Sequence, residues 1–346
     1  MIYNNLKFHN VAELEVVEGM PGYRLQRFPK DVRNNLGYKE QERGRFYSQC
    51  STGCEIRFVT DAKFFRIALS AVEGEGTVLV YRGNFLHSYH HLKAGTITTL
   101  NLQAPPAFSE VCPEALEGYA FSPSVWRLLF DKNCCAVFHY IDTFGHEIRP
   151  PMEGEIPKVK WLAYGSSITF GGDCNLYSNS YVQQVGRRLG VDILNKAIAG
   201  ACFCDESVAN YIAQFDDWDF ITLELGVNMR ELFSAEEYEK RINYLLDTIM
   251  SENPDKPIVV IGIYPNGAGY FLEQENITKE HNREFDIITK KIVEEKGSNK
   301  LFFIAGDKIL TDFSGLCTDL LHPSDDGHIL MGENLSKELR RIIGEQ

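Results

Sequence analysis

The chain has 346 residues, 44% of them hydrophobic, and its formal net charge is -13 at pH 7. This length favours two domains with full cores, since domains usually contain about 100–200 residues. The acidic balance argues against nucleic-acid and anionic-membrane partners, which select a basic face. No run of about 20 apolar residues predicts a membrane span. No signal-peptide pattern opens the sequence, so a cytoplasmic location is expected.

Residues 1–150 have the pattern of an all-β domain. Short runs rich in β-branched and aromatic residues alternate with turn residues such as Gly, Asn and Glu. The predicted strands lie at 55–59, 64–69, 77–81, 96–102, 125–130 and 136–140. Strands at this spacing are typical of an antiparallel sandwich. We therefore expect a jelly-roll-like β-sandwich as an accessory domain.

Residues 151–157 are rich in proline and polar residues, which indicates a linker. From residue 158 to 346 apolar runs alternate with helical stretches. The predicted strands lie at 158–164, 191–195, 220–225, 257–263 and 301–305, and the helices near 179–189, 235–251, 278–296 and 324–343. This alternation predicts an α/β domain with a parallel sheet between two layers of helices.

No metal or cofactor is expected. The histidine-rich segment 87–91 has no nearby carboxylates or second ligand cluster, so it is predicted to be a solvated loop. The glycines at 165, 171 and 172 match neither the dinucleotide fingerprint nor a P-loop. The nine cysteines include no pair of Cys-x-x-Cys motifs, and their odd number favours reduced thiols. Cys202 and Cys204 are expected to be small buried residues.

A serine-rich turn follows the first strand of the α/β domain. The apolar residues 161–164 lead into Gly165, Ser166 and Ser167. A serine in a strand-to-helix turn presents its hydroxyl at the carboxyl edge of the sheet, where open α/β folds place their chemistry. Far downstream, Asp319 stands three residues before His322. A serine nucleophile needs a base, and the base needs an orienting acid.

Each of these residues also has a plain structural interpretation. Ser167 alone is more often a helix cap, and His322 alone a surface or core histidine. Further along, Asp325 and Asp326 are expected to begin the last helix, where acids favour the positive end of the dipole. His328 then falls inside that helix, with a structural role.

Four blocks in order make this half resemble the SGNH or GDSL hydrolase superfamily, over about residues 158–344. The blocks are Gly165-Ser166-Ser167-Ile168, Gly200, Gly226-Val227-Asn228, and Asp319-x-x-His322-Pro323. Two positions depart from the family pattern: Ser166 stands where an aspartate is usual, and Met229 follows the third-block asparagine in place of another aspartate. Neither position carries the family's chemistry. The resemblance implies a flavodoxin-like, three-layer α/β/α domain.

The resemblance also implies roles for five residues. Ser167 would be the nucleophile, His322 the general base and Asp319 the acid that orients it. The backbone N–H groups of Ser167 and Gly200 and the side-chain amide of Asn228 would form the oxyanion hole. Alternatively, Gly200 and Asn228 are turn residues that take no part in the chemistry.

The expected function is a serine esterase acting on a short-chain acyl ester, in first place a carbohydrate O-acetyl esterase. Relatives that join a β-sandwich to this domain suggest that substrate. The expected partner is a small-molecule or oligosaccharide ester, and a homo-oligomer is left open. Two alternatives remain: an acyltransferase with the same triad, and a glycan-binding protein that kept the fold without catalysis.

Overall fold

The computed structural model of the chain describes residues 1–39, 41–273 and 275–344. These residues form two compact units. The first unit contains Met1–Lys30, Ser48–Lys158 and Gly190–Asp192. The second contains Val159–Leu189, most of 193–346 and the segment Asp31–Tyr47, which comes from the first half of the chain.

The first unit is a β-sandwich of two mainly antiparallel sheets. One sheet has the strand order β1-β2-β5-β10-β7-β8, with β12 paired to β5, and the other has the order β3-β4-β11-β6-β9. The strands are β1 (Ile2–Tyr3), β2 (Leu6–His9), β3 (Glu13–Glu15), β4 (Tyr23–Gln26), β5 (Glu55–Thr60), β6 (Phe64–Val72), β7 (Gly76–Arg82), β8 (Phe85–Leu92), β9 (Thr98–Gln103), β10 (Val125–Phe130), β11 (Cys135–Asp142) and β12 (Ile148–Arg149). A hydrophobic core draws on both sheets.

The six predicted strands of this half coincide with strands of the structure, but the predicted loop at 87–91 does not. These residues lie in β8, which pairs antiparallel with β7. Gly83, with φ 57°, turns the chain between the two strands. His87 Nε2 lies 2.9 Å from the Gln103 carbonyl oxygen, so this ring has a structural partner. The sequence prediction failed because alternating polar residues on a half-exposed strand resemble a loop.

The second unit is a three-layer α/β domain, as predicted. Its sheet has the order β14-β13-β15-β16-β17, and β13, β15, β16 and β17 pair in parallel. The strands are β13 (Lys160–Tyr164), β14 (Asp192–Asn195), β15 (Phe220–Glu224), β16 (Ile258–Ile261) and β17 (Leu301–Ile304). The helices are α3 (Ser167–Phe170), α4 (Tyr181–Leu189), α5 (Glu206–Gln214), α6 (Ala235–Glu252), α7 (Ile277–Lys296), α8 (Gly306–Ile309) and α9 (Asp325–Ile343).

The segment Asp31–Tyr47 packs within the second unit through aromatic rings. Two short helices, α1 (Lys30–Asn34) and α2 (Arg43–Ser48), lie near its ends. The ring centre of Tyr38 lies 4.4 Å from that of Phe233, and Tyr47 lies 5.5 Å from Phe170. The segment therefore adds rings to the core of the α/β unit.

Cys202 and Cys204 are buried. Within the described ranges, no helix has both the length and the apolar run needed to cross a membrane.

Candidate active site

Ser167 lies just beyond the carboxyl end of β13, as the first residue of α3. The preceding Ser166 caps this helix, because its hydroxyl accepts a hydrogen bond from the Ile168 N–H at 3.1 Å. The helix ends after one turn at Gly171, whose φ of 93° suits a residue without a side chain. Ser167 is only partly buried. The turn therefore presents its hydroxyl at the sheet edge, as the sequence predicts.

His322 lies between this serine and Asp319. Its Nε2 is 2.7 Å from Ser167 Oγ, and its Nδ1 is 2.6 Å from Asp319 Oδ2. The other carboxylate oxygen accepts hydrogen bonds from the backbone N–H groups of Leu321 and His322, at 3.0 and 3.1 Å. Burial raises the pKa of Asp319, but the hydrogen bonds from His322 and Leu321 outweigh it and hold the pKa below its usual value. The acid thus stays ionised opposite the imidazole.

The three expected oxyanion donors have no acceptor among the described residues. They are the N–H groups of Ser167 and Gly200 and the side-chain NH₂ of Asn228. Asn228 Oδ1 accepts from the Cys202 N–H at 3.1 Å, which leaves the NH₂ as the free end of the amide. The Ile198 N–H donates to the Gly165 carbonyl at 2.9 Å and ties the Gly200 loop to the serine turn. Free donors beside a nucleophile suit a developing oxyanion.

A buried carboxylate that the sequence analysis did not single out supports the serine turn. Glu224, at the end of β15, accepts from the Ser166 N–H at 2.7 Å and the Thr169 hydroxyl at 3.0 Å. A Cβ at Gly165 would lie only 2.6 Å from Glu224 Oε2, so glycine lets the two strand ends approach. Burial raises the pKa of Glu224, and the hydrogen bonds from Ser166 and Thr169 oppose it only in part. The sequence signal that could have identified Glu224 is an acidic residue within an otherwise apolar strand end.

A second carboxylate also faces the imidazole. Asp173 Oδ2 lies 3.3 Å from His322 Nδ1, on the same side as Asp319. Asp173, Asp319 and His322 have donor atoms within 4.8 Å of one another, a spacing that a metal ion can use. Both ring nitrogens of His322, however, already face partners, Ser167 and Asp319. The arrangement is that of a general base with two acids on its far side.

Arg43 of α2 reaches the Gly200 loop. A Cβ built at Gly200, where φ is 65°, would meet Arg43 Cδ at 3.3 Å. The Arg43 side chain is exposed. Arg43 lies in no motif, and it precedes the serine turn by more than a hundred positions in the chain. The sequence therefore does not connect it with the site.

The remaining acids and histidine of this region have structural roles. Asp325 is the first residue of α9, and Ser324 caps that helix. His328 is fully buried; its Nδ1 accepts from the Tyr181 N–H at 3.2 Å, and its Nε2 lies 2.9 Å from the Gly172 carbonyl oxygen. These positions agree with the sequence analysis.

A family model described as GDSL-like lipase/acylhydrolase matches residues 159–340, more than half of the chain. A search of curated proteins gave no significant match.

Solved structures share both units of the chain. Salicylyl-acyltransferase SsfX3 from a tetracycline biosynthetic pathway is 15% identical with a TM-score of 0.80, covering 99% of this chain and 96% of its own. A GDSL-like lipase from Bacteroides ovatus ATCC 8483 is 19% identical with a TM-score of 0.71, covering 99% and 97%. A family two carbohydrate esterase from Clostridium thermocellum, in complex with cellohexaose, is 15% identical with a TM-score of 0.61, covering 86% and 94%. At these identities the likeness concerns the fold.

Proposed function

This chain belongs to the GDSL-like lipase/acylhydrolase family, and we propose that it is a serine esterase that removes a short acyl group, acetyl in first place, from a carbohydrate. The observation that carries the chemistry is the continuous contact from Ser167 through His322 to Asp319, at 2.7 and 2.6 Å. A weak alcohol nucleophile needs a base placed in this way.

In the first step Ser167 Oγ attacks the ester carbonyl carbon while His322 Nε2 takes the hydroxyl proton. Asp319 accepts the Nδ1–H and stabilises the imidazolium. The carbonyl oxygen becomes an oxyanion that meets the free N–H groups of Ser167, Gly200 and Asn228. The imidazolium then protonates the departing alcohol, which leaves an acyl-serine.

In the second step water takes the place of the alcohol. His322 removes a proton from the water as it attacks the acyl-serine carbonyl. Collapse of the second tetrahedral intermediate releases the acid, and the proton on His322 returns to Ser167. All proton transfers pass through one nitrogen atom, which one imidazole in this position can provide.

The carbohydrate part of the proposal rests on architecture. The carbohydrate esterase from Clostridium thermocellum shares the fold over 86% of this chain, and that structure is a complex with cellohexaose. An acyltransferase is the second candidate, favoured by the TM-score of 0.80 with the salicylyl-acyltransferase over 99% of the chain. In that case an alcohol, in place of water, would attack the acyl-serine.

Acetate release from acetylated xylo-oligosaccharides tests both candidates. We expect the wild type to release acetate and Ser167→Ala to release none while keeping its thermal unfolding midpoint. Ser251→Ala, on the exposed end of α6, is the matched control and should keep full activity. Adding an acceptor alcohol and looking for a new ester by mass spectrometry separates transfer from hydrolysis. Equal release by the wild type and Ser167→Ala would exclude Ser167 as the nucleophile.

A further inference from the structure

The sandwich unit contains a cleft whose charge is opposite to that of the chain. Its volume is about 490 Å³, within the roughly 300–1,000 Å³ of small-molecule sites. The lining includes two cations, Lys63 and Arg82, and two aromatic rings, Phe64 and Phe108, but no carboxylate among the described lining residues. The chain as a whole carries a formal charge of -13. This cleft is therefore a local cationic site on an acidic protein.

Arg82 is one of the two cations that line this cleft. It ends β7 and faces Trp126 of β10, with the guanidinium carbon 5.0 Å from the indole ring centre. Its Nε and Nη1 are buried and have no hydrogen-bond partner among the described residues. Burial lowers the pKa of Arg82 to about 10, so the side chain remains charged at neutral pH.

Two other arginines of the same unit are neutralised. Arg57 and Arg127 both donate to the carboxylate of Glu55, at 2.7 and 2.6 Å. Arg82, by contrast, has no ion pair among the described residues. The indole Nε1 of the neighbouring Trp126 also has no hydrogen-bond partner in the described part of the chain. Arg82 thus brings to the lining of the cleft a positive charge that has no paired carboxylate among the described residues.

We propose that this cleft binds a carboxylate carried on a six-membered ring. The guanidinium of Arg82 lines the cleft and attracts a carboxylate by its positive charge. Phe64, whose side chain is 56% exposed, and Phe108 offer ring faces to the body of the ligand. Phe108 is held in place by an edge contact with Phe85, with ring centres 5.4 Å apart. Lys63 adds a second positive charge.

Two kinds of ligand share this chemistry: a uronic acid sugar and an aromatic carboxylate. In either case the sandwich is a recognition unit for acidic ring compounds. The site is independent of Ser167, because the cleft is built entirely from residues of the sandwich. Its binding can therefore be measured whether or not the esterase reaction is the right one.

Isothermal titration of the full chain with galacturonate, benzoate, neutral galactose and inorganic sulfate tests the proposal. We expect galacturonate or benzoate to bind and galactose not to bind. Binding of galacturonate assigns a saccharide ligand, and binding of benzoate alone assigns an aromatic one. Binding of sulfate alone, equal binding of galactose, or no binding at all would overturn the proposal.

Variants locate the binding. Arg82→Gln should weaken the binding of the ring carboxylate by at least about tenfold, which is the effect of losing one charged hydrogen bond. Because an unpaired buried charge is removed, its unfolding midpoint should not fall. Lys63 is exposed, so Lys63→Gln tests the cleft without disturbing the core. This variant should also weaken binding. Arg66→Gln, which breaks an exposed pair with Asp142, is the control and should bind normally. Unchanged affinity in both cleft variants would place the binding elsewhere.

Discussion

At the scale of single residues, the two acids beside His322 differ in how they meet the ring. Asp319 lies 2.6 Å from Nδ1 and is also fixed by two backbone N–H groups, whereas Asp173 lies 3.3 Å away. The Asp173 side chain is 52% exposed and that of Asp319 is 44% exposed. Asp319 is therefore the main orienting acid, and Asp173 is placed to take over part of that role.

The first prediction concerns this pair. Loss of the acid from a triad lowers kcat by about 10⁴ when no other group holds the tautomer. Because Asp173 remains beside Nδ1, we expect Asp319→Ala to lose only about 10²-fold in kcat. The double variant Asp173→Ala/Asp319→Ala should show the full loss of about 10⁴-fold in kcat, because no acid then remains beside Nδ1. Asp326→Ala, an exposed acid at the start of α9, serves as the control. Equal kcat values for Asp319→Ala and the double variant would show that Asp173 has no such role.

Asn228 gives a second prediction. Its free NH₂ is expected to donate only to the oxyanion, so Asn228→Ala should lower kcat by about 10²–10³ with little change in KM. The measurement is steady-state hydrolysis of an activated acetate ester. Asn243→Ala, in which the lost amide donated only to a helix carbonyl of α6, should be unaffected. A variant that raises KM at constant kcat would move Asn228 from the oxyanion hole to substrate binding.

Sequence motifs locate only part of this site. Ser167, His322 and Asn228 follow strands or stand in blocks of fixed spacing, so pattern and family resemblance suffice to predict them. Asp173 and Arg43 lie in no motif. Each reaches the site because a turn or a short helix folds back onto it, and such returns depend on tertiary packing.

At the scale of elements, Glu224 joins the end of β15 to the serine turn. Its pKa is raised on folding by burial, so the folded state binds its proton more tightly than the unfolded state. Its contribution to stability is therefore largest at low pH. That contribution declines as the pH rises from the unfolded value of about 4.3 through the folded pKa.

The third prediction follows from that sign. Glu224→Gln keeps an oxygen that can accept from Ser166 and Thr169 but carries no charge. We expect the free energy of unfolding of the wild type to fall relative to the variant as the pH rises above about 4.3. Urea unfolding over a pH series measures it, with the exposed Glu252→Gln as the control. Parallel curves for wild type and Glu224→Gln would contradict the prediction.

The elements of the second unit were predictable where a strong apolar run or a long amphipathic stretch occurs. The five predicted strands match β13 to β17 within a few residues. Helix α5 (Glu206–Gln214) was not predicted, because it is short and follows the buried Cys202-Phe203-Cys204 run without a side-chain cap. Local sequence thus identifies the sheet more readily than the short helices around it.

At the scale of the whole molecule, each of the two units combines segments that are not contiguous in the sequence. The sequence predicts one boundary at residues 151–157, where proline and polar residues concentrate. The segment Asp31–Tyr47 nevertheless packs with the α/β unit. Its composition does not distinguish it from the loops of a sandwich. The ring partners of Tyr38 and Tyr47 within that unit reveal where it belongs.

The last prediction tests whether this segment stabilises the α/β unit. The ring centre of Tyr38 lies 4.4 Å from that of Phe233 and 6.4 Å from that of Phe203. Both phenylalanine rings are almost fully buried. Tyr38→Ala should lower the free energy of unfolding by about 1–3 kcal/mol, since it removes aromatic pairs and part of a ring's burial. Tyr140→Ala, at a side chain that is 47% exposed in the sandwich, should change it little. If thermal or urea unfolding gave the same stability for both variants, the segment would be a connection that covers the α/β unit without supporting it. A selective loss in Tyr38→Ala means that a fragment beginning at residue 158 lacks part of its own core.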